Sequence, residues 1–306
     1  MQLAMKIIIL LLLPSTLFAQ VSLLQGEIRD KATHAPIAFA SVVLMKGEAA
    51  CNSDDKGVFR LVLVKVDLND TLWVNSYGYK DVKIPVSSFS TNWKILLDTN
   101  KLKKLPENKS KGANKAVLNG FDNKLAQYYT GFERPLERFK YLQLAQKLTA
   151  PANNNILKSV NIKVLIAAYE QKYDSTKFLI HVYDMDKETD GPGKEITPGG
   201  ILGETNGKSV IEVKLPSAIN IPGENFFVAI EWLRIKFNRN EINREHFASL
   251  DQGLIMRETY KPIIGMSNKK GEFINTWAMN FKREWQLYTY FVPYLTDFAI
   301  SAEVEY

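Results

Sequence analysis

Gly26-Glu27-Ile28-Arg29-Asp30, Pro36-Ile37-Ala38-Phe39-Ala40-Ser41-Val42, Asn52-Ser53-Asp54-Asp55-Lys56-Gly57-Val58-Phe59 and Tyr77-Gly78-Tyr79 punctuate one stretch near the N-terminus. Short apolar segments alternate there with turn residues, and that rhythm decides the fold. From Val58 onward, Phe59, Leu61 and Leu63 fall on one face, while Val58, Arg60 and Val62 fall on the other. This two-residue period is that of a β-strand with one buried side. Gly57 closes the turn before it, because glycine accepts a positive φ without steric cost. Working outward, strands are expected at Leu23 to Ile28, Ile37 to Leu44, Val58 to Val66, Thr71 to Ser76, Val82 to Val86 and Trp93 to Leu97. Short strands at such spacing make a sandwich or a barrel.

The order Gly26-x-Ile28-x-Asp30, Pro36-Ile37-x-Phe39-Ala40-Ser41-Val42, Asp54-x-x-Gly57-x-Phe59, Asp70-x-Leu72 and Tyr77-Gly78-Tyr79 resembles the carboxypeptidase regulatory-like domain. That resemblance implies an immunoglobulin-like, transthyretin-like sandwich over residues 22–98, about a quarter of the chain. It implies an accessory or docking role and no activity. One departure stands out: where the family often has Thr before the Ser53-Asp54 turn, this chain has Asn52 after Cys51. The zinc-peptidase half suggested by the family name is missing. None of His34, His181 and His246 opens a His-x-x-Glu, and no His-Glu-x-x-His occurs. The chain is also far too short to be one of the large outer-membrane barrels that carry such domains.

The N-terminal segment reads as a signal peptide, residues 1–19. Lys6 is followed by the apolar run Ile7 to Leu13, which is too short to span a bilayer, and Leu17-Phe18-Ala19-Gln20 suits cleavage after Ala19. No cysteine follows the site, so N-terminal lipidation is not expected. The chain carries a net charge of +6 with 46% hydrophobic and 24% charged residues, a globular composition. Much of the basic excess is local: Lys101, Lys103, Lys104, Lys109, Lys111 and Lys115 crowd a linker at 99–116. That clustering argues against nucleic acid as a partner, which would spread cations and aromatics over a folded face. The linker is either a solvated spacer or a basic arm lying on an anionic membrane surface. Cys51 is the one cysteine, so stability rests on burial without a disulfide, as in a bacterial envelope protein.

Residues 117–306 read as a second, larger β-sandwich of jelly-roll type. A short helix is expected somewhere in Val117 to Tyr129, and Arg138 to Leu148 fits strand or helix, with strand favoured by its surroundings. Val160 to Ala168, Phe178 to Val182, Val210 to Leu215 and Phe226 to Trp232 alternate as strands. In the last strand, Phe298, Ile300, Ala302, Val304 and Tyr306 face one way. Ala299, Ser301, Glu303 and Glu305 face the other, which is expected to be wet.

Four candidate sites follow. Counted from Asp184, the acids Asp184, Asp186, Glu188 and Asp190 take the first, third, fifth and seventh places of a loop, and Glu195 the twelfth, a spacing that suits calcium. The turn glycine of such a loop is Thr189, and the plainer reading is an acidic hairpin closed by Gly191-Pro192-Gly193. Trp232, Trp277 and Trp285 are either a stacking platform for a glycan or core aromatics. His181 and Glu231 would form an acid–base pair if their strands were neighbours. Ser267 lacks the second glycine of a nucleophile elbow. The sequence thus predicts an exported, non-enzymatic binding or assembly protein of the cell envelope, in the periplasm or at the outer membrane, whose partner is an envelope protein or a glycan. A glycan-binding module is the second expectation and a hydrolase the third. No cofactor other than the candidate calcium is expected.

Overall fold

In the computed structural model, residues 22–47, 49–63, 67–88, 93–100, 114–126, 128–130, 141–165, 175–239, 260–289 and 296–306 are described. The expected signal peptide and residues 101–113 of the linker lie outside them. The described chain is all-β, with two 3-10 turns, Val86–Ser88 and Lys236–Asn238, between strands. No helix among these residues is long and apolar enough to cross a membrane.

The first sandwich has seven strands: β1 (Ser22–Asp30), β2 (Ser41–Leu44), β3 (Ala49–Asn52), β4 (Val58–Leu63), β5 (Thr71–Asn75), β6 (Val82–Pro85) and β7 (Trp93–Leu97). One sheet runs β4-β1-β7, with β4 antiparallel and β7 parallel to β1; the other runs β3-β2-β5-β6. In β4, Phe59, Leu61 and Leu63 are buried while Arg60 and Val62 are exposed, as the alternation requires. They meet Ile28, Val42, Leu72, Val74, Ile95 and Leu97 in one core, and Cys51 is buried with them. Gly57 has φ +77° and closes the turn through its backbone bond to Asp54.

The expected strand Ile37 to Leu44 begins only at Ser41. Before it, Phe39 has φ +59°, a left-handed conformation no strand can hold. Ser53 stitches this segment down: its hydroxyl donates to the Ile37 carbonyl at 2.8 Å and accepts from the Ala40 N–H at 2.9 Å.

The second sandwich contains β8 (Lys115–Leu118), β9 (Tyr128–Thr130), β10 (Tyr141–Thr149), β11 (Asn155–Leu165), β12 (Lys177–Met185), β13 (Pro192–Glu195), β14 (Ile201–Glu204), β15 (Val210–Ile221), β16 (Asn225–Trp232), β17 (Ile263–Lys270), β18 (Thr276–Asn280), β19 (Trp285–Leu287), β20 (Thr296–Phe298) and β21 (Ile300–Glu305). They form two seven-stranded sheets. One runs β13-β12-β16-β10-β18-β19 with β14 also on β12, and the other runs β20-β17-β11-β21-β8 with β15 on β11 and β9 on β17. Phe178, Ile180, Val182, Phe226, Val228, Ile230 and Trp232 from the first sheet pack against Leu157, Val160, Ile162, Ile300, Ala302 and Val304 from the second.

Two local expectations fail for tertiary reasons. The segment expected to hold a helix instead gives β8 and β9, because Ala116 to Leu118 extend the edge of β21. Asn119, at φ +48°, then ends β8, and its amide donates to the Phe298 and Ile300 carbonyls. The face of β21 expected to be wet is wet at one end only. Ala299 and Ser301 are buried, whereas Glu303 and Glu305 are half-buried and pair with Lys115 and Lys158.

Candidate functional site

The central strands of the first sheet of the second sandwich are buried on both faces. β16 reads Asn225-Phe226-Phe227-Val228-Ala229-Ile230-Glu231-Trp232, and every residue after Asn225 is buried. Inward side chains enter the core just described. Outward ones, Leu142, Ala145, Tyr183, Phe227, Ala229, Trp277 and Met279, join Val43 and Ala50 of the first sandwich in a separate cluster. Val43 stands beside Ala50 and Trp73 in the four-stranded sheet. That sheet therefore packs on the outer face of β10, β12, β16 and β18 through Val43 and Ala50, and the two sandwiches share a buried junction.

The junction contains a buried polar cluster. His181 on β12 faces outward, and its register places it opposite Ala229, one diagonal step from Glu231 on β16. A diagonal neighbour on the same face is within reach of long side chains. The imidazole Nε2 lies 3.1 Å from Glu231 Oε2, an ion-pair distance. Nδ1 lies 2.5 Å from Glu195 Oε1 on β13. The same Glu195 oxygen accepts the Gly199 N–H at 3.1 Å. Glu231 Oε2 also accepts from the Gln143 amide at 2.9 Å, whose oxygen accepts the Tyr183 hydroxyl at 2.8 Å. His181 and Glu231 are only 3% and 4% exposed.

Burial acts most strongly on the imidazole and opposes its charge. Glu195 and Glu231 together outweigh it and hold the His181 pKa up to about 9. Burial likewise pushes the Glu231 carboxyl up, but His181, Arg283 and Arg234 prevail and bring it down to about 2. Burial, reinforced by Glu195 and Glu231, raises the Tyr183 phenol well above its usual value. The His–Glu pair is thus fully ionised at neutral pH.

Contacts across the junction surround this cluster. The Arg234 N–H donates to the Asn52 side-chain carbonyl at 2.8 Å, and the Asn52 N–H donates to the Arg234 carbonyl at 3.3 Å. Asn52 therefore binds the backbone of the second sandwich as a neighbouring strand would. The Arg234 guanidinium is buried, donates to the Tyr141 carbonyl at 2.6 Å and lies over the Phe281 ring at 5.6 Å. Arg283 lies 3.8 Å over the Trp73 ring. Phe39, turned out by its left-handed backbone, takes Lys177 over its ring at 5.4 Å. Gly199 and Gly200, both at positive φ, bring the turn after β13 between the sandwiches. A Cβ on Gly199 would stand 2.3 Å from Tyr77 Cα, and one on Gly200 would stand 2.8 Å from His181 Cε1.

The other expected site residues are placed apart. Trp232 is in the core, its indole N–H donating to the Pro262 carbonyl at 2.7 Å. Trp277 faces the opposite way, 9% exposed, against Phe227 and Gly191. Trp285 is half-buried, its ring edge-on to Tyr183. Rings on two faces of one sheet form no common stacking platform. In the acidic loop, the carboxylates serve the hairpin's own backbone. Asp184 Oδ1 accepts the Lys194 N–H, Asp186 Oδ1 accepts the Glu188 and Thr189 N–H groups, and Glu195 is turned to His181. Asp190 has φ +57° and donates its N–H to the Asp186 carbonyl, while Glu188 is exposed. Among the described residues no three acidic, His or Cys side chains converge as a metal site would require. Ser267 is buried. Sequence reasoning had His181 and Glu231 as a pair and Glu195 only as a calcium ligand. Gln143, Tyr183, Arg234, Arg283 and Asn52 escaped it. The one available signal was the unbroken apolar run of β16 interrupted by Glu231, since a charge in a doubly buried strand requires a partner.

No protein-family profile matches the chain. No curated protein matches it either. Among solved structures it is similar to the cysteine protease and lectin-like domains of Cwp84, a surface layer associated protein of Clostridium difficile, at 10% identity and a TM-score of 0.36 over 88% of this chain. A second structure of that clostridial protease, after propeptide cleavage, matches at 10% identity and a TM-score of 0.36 over 87% of this chain. The chain spans 59% and 65% of the length of those two structures, and likeness at this level carries neither activity nor ligand across.

Proposed function

We propose that this chain is a non-enzymatic binding or assembly protein of the bacterial cell envelope, exported by its N-terminal segment, in which the first sandwich is a fixed mount for the second. The observation that carries this reading is the state of the His181 cluster. An acid–base pair does catalytic work only if substrate reaches it and the base has a free lone pair. Here the imidazole has a carboxylate at each nitrogen, is held protonated near neutral pH, and lies under the junction. Such a cluster braces the strands of the second sandwich under the junction, and the bonds between Asn52 and Arg234 tie the first sandwich to it. The regulatory-like motifs of residues 26–79 support the same accessory role, and the signal-like segment Lys6 to Gln20 supports export.

The test has two arms. Fractionation of cells producing the tagged full chain is expected to place it in the envelope, with the N-terminus starting at Gln20. A panel of ester, peptide and glycoside substrates is expected to show no turnover. Hydrolysis by the wild type that is lost in a folded His181→Gln variant would overturn the non-enzymatic reading, and a cytoplasmic chain retaining residues 1–19 would overturn the envelope assignment.

A further inference from the structure

One long strand of the second sandwich has an open side. β15 pairs with β11 and with no other strand among the described residues. The Val164 N–H donates to the Ser209 carbonyl at 2.8 Å, and the register sets Ile162 opposite Ile211, Asn161 opposite Glu212 and Val160 opposite Val213. In an antiparallel ladder, hydrogen-bonded and non-bonded pairs alternate. Ser209, Ile211 and Val213 therefore turn their backbone groups to β11, while Val210, Glu212 and Lys214 turn theirs out of the sheet edge. Lys163, opposite Val210, obeys the same alternation: its N–H points away from β15, to the Ala299 carbonyl at 2.9 Å.

The side chains follow the same alternation. Ile211 and Val213 enter the core, whereas Glu212 and Lys214 are exposed on the outer face and belong to no ion pair among the described residues. An acid and a base two places apart make this edge complementary to itself. In a second copy lying antiparallel, with a two-fold axis at Val213, Glu212 of each copy stands opposite Lys214 of the other. The residues so matched are those whose N–H and C=O groups point outward, so hydrogen bonds and opposite charges meet in one register. An axis at Glu212 sets acid against acid, and one at Lys214 sets base against base. Pairing stays short, because the strand bulges after Lys214: Ser159 lies opposite Lys214 but Leu157 opposite Ile219, and Pro216 has no N–H to give. Charges, bulges and proline are the usual means of blocking an edge. Here the charges alternate in sign, so they select a partner register. The open strands β8 and β19 are shorter, at four and three residues, and neither contains an acid.

We propose that β15 is a self-association edge, through which two copies of this chain join antiparallel about a two-fold axis at Val213. The contact uses the same patch on both copies and closes on itself, so assembly ends at a dimer. Its small extent makes it a weak interface, with a dissociation constant on the order of 0.1 mM. This goes beyond the envelope role and does not depend on it, since it follows from the register and charges of one strand.

The test is sedimentation equilibrium of the full chain up to about 1 mM, where a reversible monomer–dimer equilibrium is expected. E212K and K214E each turn the attractive pairs into repulsive ones, and each should weaken association at least about tenfold. The double variant E212K/K214E restores opposite charges and should regain wild-type association, and an equimolar mixture of the two single variants should form the mixed dimer. All variants should keep the wild-type thermal transition, because both side chains are exposed. Amide exchange at Glu212 and Lys214 should slow as concentration rises. A chain that stays monomeric to about 1 mM would overturn the proposal and leave the edge to a foreign strand. Single variants that dimerise like the wild type, a double variant that fails to recover, or slowed exchange confined to β8 or β19 would each overturn it too. None of these outcomes bears on where the chain resides or on turnover by His181.

Discussion

Raising the pH from 6 to 10 should weaken the fold through one imidazole. Free histidine titrates near 6.5, and the folded protein holds His181 up to about 9 because Glu195 and Glu231 flank it. The folded state therefore binds this proton more tightly than the unfolded one. Its stabilisation is complete below pH 6.5 and is lost as the pH climbs through 9. The slope between those values is about 1.4 kcal/mol per pH unit, and the whole loss is about 3 kcal/mol, a large share of the ~5–15 kcal/mol that domains usually have. Other groups titrate in the alkaline range with different sign or onset. Burial lowers the Lys163 amine, which adds stability as the pH rises, and the Tyr79 and Tyr183 phenols are raised, chiefly by burial, which removes stability only above about pH 10. A His181→Gln variant retains all three and so isolates the imidazole. Urea unfolding of wild type and variant at half-unit pH steps is the assay. The wild-type curve should fall towards that of the variant between pH 6.5 and 9. Parallel curves across that window would refute the assignment of a charged, carboxylate-clamped imidazole.

Three further outcomes follow from the same junction. Glu231→Gln leaves His181 and Arg234 buried with one counter-charge fewer, and should cost about 3–5 kcal/mol by denaturant unfolding. Asn52→Ala removes the acceptor of the Arg234 N–H and leaves that donor buried; a loss of about 1–3 kcal/mol is expected, with faster limited proteolysis between the sandwiches. Gly199→Ala places a methyl 2.3 Å from Tyr77 Cα at a backbone φ of +83°, so it should lower the thermal midpoint more than alanine at the open Gly223, where the nearest atom is 3.7 Å away.

Local pattern made the faces of single strands legible. Phe59, Leu61 and Leu63 in β4, and Phe298 of β20 with Ile300, Ala302 and Val304 of β21, alternate because one side must be buried, and the structure buries them. Pattern could not show which strand neighbours which, since pairing such as β12 with β16 joins residues about fifty positions apart. His181 and Glu231 were therefore visible as residues and not as a contact. Backbone strain also overrode composition: Ile37 to Ala40 has strand-forming residues, yet Phe39 is left-handed and turns its ring towards Leu179, Leu233 and Ile235 of the second sandwich. Val117 and Leu118 have no decisive local signal, and the open edge of β21 recruits them. Nothing in a single sequence marks Asn52 as a strand mimic.

The doubly buried sheet has a consequence for how the chain is made. Residues 22–97 emerge before β16 and β18, so the first sandwich can close on its own core ahead of the rest. When Phe227, Ala229 and Trp277 emerge, a finished surface carrying Val43 and Ala50 already waits for them. The first sandwich can thereby template the face of the second that it covers. Moving its coding sequence behind residue 306 would keep every side chain but reverse that order, leaving the apolar face of β10, β16 and β18 uncovered during the interval when aggregation competes with folding.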